Sequence, residues 1–433
     1  MEWWTCLSSS GRAAEAMTLP AADVAESPVE GGGGTFRSLR GFNYRTWAIG
    51  ALVSNVGTWM QRTAQDWLVL TELTKHNASA VGTVMALQFG PQVLLLPWTG
   101  LAADRRDLRK LLFATQATMG ALATLLGLLT VTGMVRLWHV YVFAFLLGCA
   151  TAFDAPARHA FVTELVEERD LPNAVALNST SFNAARLIGP AAAGILIALV
   201  GTGWVFVLNG ASFVAVLASL VVLRSGELRP RDLSRGPRGG LVAGFLYVWR
   251  RPDLRTILLM VSLVGTFGLN FPIFISTMAV GAFHKGSGQF GLLTSTMAIG
   301  SVTGALLAAR RVNPRMPVLV TGATFFGVGL AVAALMPSYA LFAVALVLIG
   351  VSAQTFTTTS NSVLQLSSEP AMRGRVVAIF LAVALGGTPI GAPIVGWVVD
   401  AFGPRWGLGV GAAGGFVAAP IGLSYLAAVR TRR

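Results

Sequence analysis

Apolar residues run along this chain in long blocks, cut by short clusters of Arg, Asp, Gly and Pro. They lack the alternation of a strand and the one-sided stripe of a soluble helix. Twelve blocks can be bounded: Thr46 to Thr71, Ala80 to Ala102, Leu111 to Val131, Leu137 to Phe153, Leu171 to Val200, Trp204 to Leu223, Ile257 to Ala282, Phe290 to Ala308, Pro317 to Met336, Leu341 to Thr359, Val376 to Val399 and Trp406 to Val429. Most approach the roughly 20 residues that a bilayer-crossing helix needs. The block ending at Phe153 is short and is expected to continue through Pro156. The pattern predicts an all-α integral membrane protein with twelve transmembrane helices, since a helix satisfies its own backbone in lipid.

Composition supports this class. Of 433 residues, 54% are apolar and 12% charged, a balance foreign to soluble domains. The net charge of +13 is unevenly placed along the sequence. Assigned to alternate sides of the twelve spans, 26 Lys and Arg residues fall on the side of both termini and four (Lys75, Arg136, Lys285 and Arg405) on the other. Short cytoplasmic loops retain basic residues, so both termini are expected in the cytoplasm. The charge then reports topology and implies no nucleic-acid partner; membrane lipids surround the chain. An excess of Ala, Gly, Val and Arg suits a GC-rich bacterium and its inner membrane.

Residues 1–45 are rich in Ala, Ser, Glu and Gly and read as a flexible cytoplasmic tail, within which Met17 is an alternative start. Cys6 and Cys149 imply no disulfide or metal site. No phosphate-cradling Gly-x-x-x-x-Gly-Lys-Ser/Thr occurs, and the four histidines show no metal spacing. Neither enzyme chemistry, a cofactor nor a metal is expected. Transport would draw on an ion gradient or on the substrate's own.

The chain repeats itself. Gly100-Leu-Ala-Ala-Asp104-Arg105-Arg106 is echoed by Gly304-Ala-Leu-Leu-Ala-Ala-Arg310-Arg311, and Gly82, Gly148, Phe153 and Pro190 pair with Gly291, Gly350, Phe356 and Pro389. Two six-helix halves follow, 46–223 and 256–433, joined by a basic linker, 224–255, that holds an interfacial helix around Leu241 to Trp249.

Ionisable residues inside the blocks mark function by default. Asp66 is expected to be the one acid in the apolar body of the spans, with Asp154 and Asp400 at helix ends and Glu72 at the outer edge. A carboxyl held in low dielectric can carry a proton that an approaching cation displaces. Two readings stand for it: a proton carrier, or a static pair with Arg62 one turn earlier. Arg186, in the middle of its block, needs a partner from Asp66, Gln61, Gln65, an anionic substrate, or backbone carbonyls at the Pro190 kink. Gln61, Gln65, Gln88 and Asn183 are candidate substrate contacts, as are Trp59, Trp67, Gln92, Asn270 and Gln354.

The Gly100 to Lys110 loop resembles the signature loop of the major facilitator superfamily: a glycine, then Asp-Arg, then a basic pair. Trp59-Met-Gln-Arg62-Thr-Ala-Gln65-Asp66-Trp67, Ala155-Pro156-Ala-Arg158, Arg186-Leu-Ile-Gly189-Pro190 and Arg373-Gly374-Arg375 resemble its drug and siderophore exporter branch. The resemblance covers the chain from about Phe36 onward. It implies the major facilitator fold, working as a monomer, and proton-antiport efflux of an amphipathic small molecule by alternating access. An uptake symporter or facilitator of the same fold is the alternative.

In that frame Gly100, Asp104, Arg105 and Arg109, joined by Asp154 and Arg158, form a cytoplasmic gate latch or else anchor loops at headgroups. Gly189, Pro190, Gly194 and Pro389 form a hinge or else pack helices closely.

Overall fold

A computed structural model describes residues 34–229, 241–310, 315–370 and 372–431, and every regular element in them is helical. In chain order the helices are α1 (Phe42–Trp67), α2 (Ala78–Leu94), α3 (Leu96–Arg105), α4 (Leu108–Val131), α5 (Leu137–Leu165), α6 (Leu171–Val200), α7 (Thr202–Val222), α8 (Leu241–Arg250), α9 (Pro252–Leu263), α10 (Phe271–Thr277), α11 (Ser287–Ala309), α12 (Met316–Leu335), α13 (Tyr339–Ser367), α14 (Arg373–Phe402) and α15 (Pro404–Arg430).

Ten helical segments among the described residues are long and apolar enough to cross a membrane, against the twelve expected. The shortfall lies in the first two blocks. The α1 helix carries Arg62, Asp66 and several amides, and the second block breaks at Leu95 into α2, of 17 residues, and the short α3. Leu199, Val214, Phe325 and Leu335 are among many large apolar side chains left exposed, as lipid-facing positions must be.

Helices α1 and α4–α7 pack chiefly on one another, as do α9–α13 and α15, while α2 lies between α5 and α14. Tyr44, Trp47 and Phe161 fill the first group near the terminal side, and Phe274, Phe326, Phe342 and Phe356 fill the second. The repeat is visible in the backbone. The segments Leu68–Leu73 and Met278–Ala282 are both π-helical, and each is followed by a left-handed histidine, His76 (φ 61°) and His284 (φ 51°). Helices α6 and α7 join through Gly201 (φ 87°), and α14 and α15 through Gly403 (φ 100°), where a side chain would be strained.

The two groups meet along α2 with α14 and along α6 with α11. Contact is tight on the side away from the termini. A Cβ on Gly194 would lie 2.6 Å from the Ser287 carbonyl oxygen, and one on Gly396 2.6 Å from that of Ala78. On the terminal side, a Cβ on Gly90, Gly100 or Gly374 would meet nothing within 4 Å. The tight crossings and the hydrogen bonds between the two groups, from Ala78 and Ser79 to Asp400 and from Ser287 to Gly194, lie on the side away from the termini.

Helix α8 rests on α14 with Val248 buried and with Phe245, Leu246 and Trp249 exposed, an amphipathic face. It is fixed by Arg251, which bonds Asp253 (2.7 Å) and the Ser367 carbonyl (3.0 Å). The hydrogen bond to Asp253 holds that guanidinium above its ordinary value.

Candidate functional site

A cavity of about 210 Å³ lies where the two groups of helices face each other. Helix α1 supplies Trp59, Arg62, Thr63 and Asp66; α2 adds Met85, Gln88 and Phe89; and α6 adds Arg186. The opposite wall comes from Leu269, Phe271 and Pro272 at a break between α9 and α10, from Phe290 and Thr294 of α11, and from Thr388 of α14. The break follows a π-turn, Val264–Gly268, and Asn270 spans it by donating to the Thr266 carbonyl (2.7 Å). Irregular backbone at membrane depth is tolerated where it lines a cavity.

Asp66, Arg62 and Arg186 thus share one site, but not as an ion pair. The Arg62 guanidinium carbon lies 5.0 Å from the ring centre of Trp59 and 6.0 Å from that of Phe89, and its Nε is buried without a hydrogen-bond partner. Arg186 approaches the same indole at 5.8 Å. Trp59 itself is held edge-on by Phe182 and backed by Gly189. Of the two readings for Asp66, a direct Arg62–Asp66 ion pair is not formed; both guanidinium groups approach the Trp59 indole. Among the described residues, Asp66, Gln61, Gln65 and the carbonyls near Pro190 make no hydrogen bond to Arg186, which leaves an anionic substrate as the remaining partner considered. Spacing of i to i+4 permits the pair, but the aromatic ring one turn before Arg62 takes the guanidinium instead.

The amides divide. Gln88 lines the cavity. Gln61 is turned away from it and accepts from Asn209 of α7, while Gln65 is buried outside it; the expectation for both is corrected. Trp67 stacks on Phe290 at 5.9 Å, joining α1 to α11, and Gln92 and Gln354 bond within their own helices. Asn183 lines a second cavity of about 340 Å³, to which Asn55, Asp154 and Arg158 also contribute, and its amide donates to the Ser179 carbonyl (2.8 Å). Arg62 and Gln88 line both cavities.

Asp154 corrects a further expectation. Helix α5 continues through Pro156 to Leu165, so Asp154 sits inside it, 3% exposed, and Asp66 is not the only acid within the spans. Its carboxylate pairs with Arg158 (2.9 Å) and accepts from Thr115 (2.9 Å) and Gln116 (2.6 Å), while Arg158 also donates to Asn55 (2.8 Å). This network knits α1, α4 and α5 and borders the second cavity; among the described residues no member of the Gly100 loop joins it. The i, i+4 spacing announced the pair, but nothing in the sequence marked Asn55, Thr115 or Gln116.

The latch residues are dispersed. Arg105 is exposed, and the Asp104 side chain lies outside what the structure describes. Arg109 donates to the Leu220 (2.8 Å) and Val221 (3.1 Å) carbonyls and to Ser225, capping the end of α7 in its own group rather than reaching the other. Gly189, Pro190 and Gly194 lie in an unbroken α6, and Pro389 in an unbroken α14. Gly194 is at the α6–α11 crossing, where Ser287 and Ser295 of α11 donate to the Gly194 (3.2 Å) and Leu187 (2.7 Å) carbonyls.

Long apolar helices in two groups, enclosing a cavity lined by ionisable and aromatic side chains, define a multi-pass membrane transporter. Residues 33–431 match the transmembrane secretion effector family, and the chain belongs to that family of the major facilitator superfamily. It is 28% identical to the multidrug efflux pump Tap of Mycolicibacterium fortuitum over 82% of this chain and 88% of that protein. It is 25% identical to the staphyloferrin A transporter of Staphylococcus aureus over 80% and 87%, and 26% identical to the enterobactin exporter EntS of Shigella flexneri over 76% and 78%. Among solved structures, a bacterial homologue of the human lysosomal transporter Spinster superposes with a TM-score of 0.72 at 14% identity, covering 90% of this chain and 97% of that one. The nucleoside transporter NupG gives 0.69 at 13%, covering 88% and 99%. These two likenesses speak for the fold.

Proposed function

We propose that this protein exports an amphipathic small molecule (a drug, antibiotic or siderophore) across the bacterial inner membrane in exchange for protons, by alternating access. Twelve spans carry this out: the ten apolar helical segments, α1, and α2 with α3, forming two halves joined by 224–255. Both termini face the cytoplasm, as the distribution of basic residues favours.

One observation carries the reading. Asp66 faces the cavity between the halves without an ion-pair partner, because Trp59 engages the neighbouring Arg62. An unpaired carboxyl there is open to either a proton or a donor group of the cargo. Competition between those two for one site is what antiport requires. Trp59, Phe89, Phe271 and Phe290 offer the apolar body of the cargo its surface, and Gln88, Thr294 and Thr388 its polar contacts. The names of the relatives support export of drugs or siderophores.

The test is accumulation of dyes, antibiotics and siderophores in an efflux-deficient bacterium expressing the chain. Lower accumulation that a protonophore restores supports proton-driven export. Raised accumulation would overturn it in favour of uptake.

A further inference from the structure

The structure assigns to Asp400, in the last turn of α14, the role of a latch that holds the far side shut. The inference rests on alternating access as proposed above and adds to it the residue that sets the balance between the two open forms.

The Asp400 carboxylate crosses from the second group of helices to the first. One oxygen accepts from the Ala78 N–H (2.7 Å); the other accepts from the Ser79 N–H (2.9 Å) and from the Ser79 hydroxyl. These are the opening amides of α2, left without partners inside their own helix. The next amide, Ala80 N–H, is capped locally by Asn77 (2.8 Å). The first turn of α2 is therefore satisfied partly by its own chain and partly by the opposite half.

Charge makes this contact directional. A carboxylate in the last turn of its own helix faces the carbonyl end of that helix, where a negative charge is disfavoured. Against the start of α2 the same charge meets free N–H groups and the positive end of a helix. Lys75 borders the same recess and adds positive charge. Asp400 is thus poorly placed when the halves separate on this side and well placed when they meet.

Among the described residues the contact has no charged counterpart at the other crossings. At the related crossing, where α6 ends beside the start of α11, the bond is a neutral one from Ser287 to the Gly194 carbonyl. On the terminal side of the α2–α14 crossing, the approach of Gly386 to Val93 is ordinary apolar contact, at 3.7 Å from a Cβ built on the glycine. Among these three crossings, charge strengthens only the one at Asp400. The bond would bias the empty protein toward the form open on the side of its termini.

The experiment places a reporter cysteine in the cavity, Thr294→Cys, in a full-length chain with Cys6 and Cys149 replaced by Ser. An impermeant maleimide is applied to each face of oriented membrane vesicles. Asp400→Asn is expected to raise the labelling rate from the far face roughly three- to tenfold and to lower that from the terminal face, since charged hydrogen bonds are lost while water partly replaces them. Ser79→Ala, which keeps its backbone N–H, is expected to give a smaller change in the same direction. Unchanged labelling from both faces in well-folded Asp400→Asn and Asp400→Ala would overturn the latch, as would a fall in melting temperature without a shift in labelling. Labelling from the terminal face alone in every variant, with and without a pH gradient, would overturn alternating access and the latch with it.

Discussion

The guanidinium of Arg62 lies over the indole of Trp59, at 5.0 Å, and not against the carboxylate of Asp66 one helical turn further on. Arg62 thus meets an aromatic ring one turn before it and makes no direct ion pair with Asp66, although the two charges still act on each other at longer range. Trp59→Leu should release Arg62 to pair with Asp66. Given about 0.5–2 kcal/mol for such a cation–π contact, the ratio of proton flux to cargo flux should fall by roughly two- to thirtyfold, with Trp59→Phe intermediate. Simultaneous proton and cargo fluxes in proteoliposomes check this; an unchanged ratio in Trp59→Leu refutes it.

Asp66→Asn keeps the shape and removes the titrating group. Uphill efflux driven by a pH gradient should be abolished, while exchange of labelled for unlabelled cargo continues. Undiminished uphill efflux by this variant would end the proton-carrier proposal.

Asp154 and Arg158 form a buried pair whose members lean on each other. Asp154→Asn leaves Arg158 without its counter-charge and should cost about 3–5 kcal/mol of stability, because the surviving charge stays desolvated. Replacing both, Asp154→Asn with Arg158→Met, should recover much of that loss. Thermal unfolding in detergent reads both, and equal melting temperatures for the single and double variants would show that the pair is not coupled.

Gly194 and Gly291 let α6 and α11 touch on the far side, and a Cβ on Gly194 would sit 2.6 Å from the Ser287 carbonyl oxygen. Gly194→Val should prise that side apart and slow turnover about tenfold or more by disfavouring the shut form. Transport rate at saturating cargo is the readout, and a rate within twofold of the unaltered protein would mean that the crossing tolerates separation.

Arg109 caps the carbonyl end of α7, so Arg109→Ala should lower the melting temperature, through loss of charged hydrogen bonds of about 1.5–3 kcal/mol discounted for their exposure. Asp104→Asn, by contrast, is expected to spare cargo binding and slow turnover. Comparing the two variants for stability and turnover separates a structural clamp from a gate residue.

Much of this protein could be read from its sequence. Blocks of apolar residues of bilayer length, broken by arginines, leave a chain few options other than membrane helices, because lipid accepts no unpaired backbone. The same reasoning picked out Asp66, Arg62 and Arg186, since a charge in such a block must face protein or water. The sequence repeat has an echo in the backbone, where Leu68–Leu73 and Met278–Ala282 are both π-helical and both precede a left-handed histidine.

Tertiary structure decided how those residues are used. Hydropathy ends the fourth block at Phe153 and so leaves Asp154 at its edge, with the helix expected to continue through Pro156, whereas packing carries α5 to Leu165 and buries the acid among Asn55, Thr115 and Gln116. Spacing along α1 could not rank Trp59 above Asp66 as the partner of Arg62, and could not show that Gln61 turns toward Asn209. Nor could it bring Asp400 to the start of α2, 321 residues away. One-dimensional pattern fixes which side chains are costly in a membrane; only the packing of distant helices fixes which partners offset that cost.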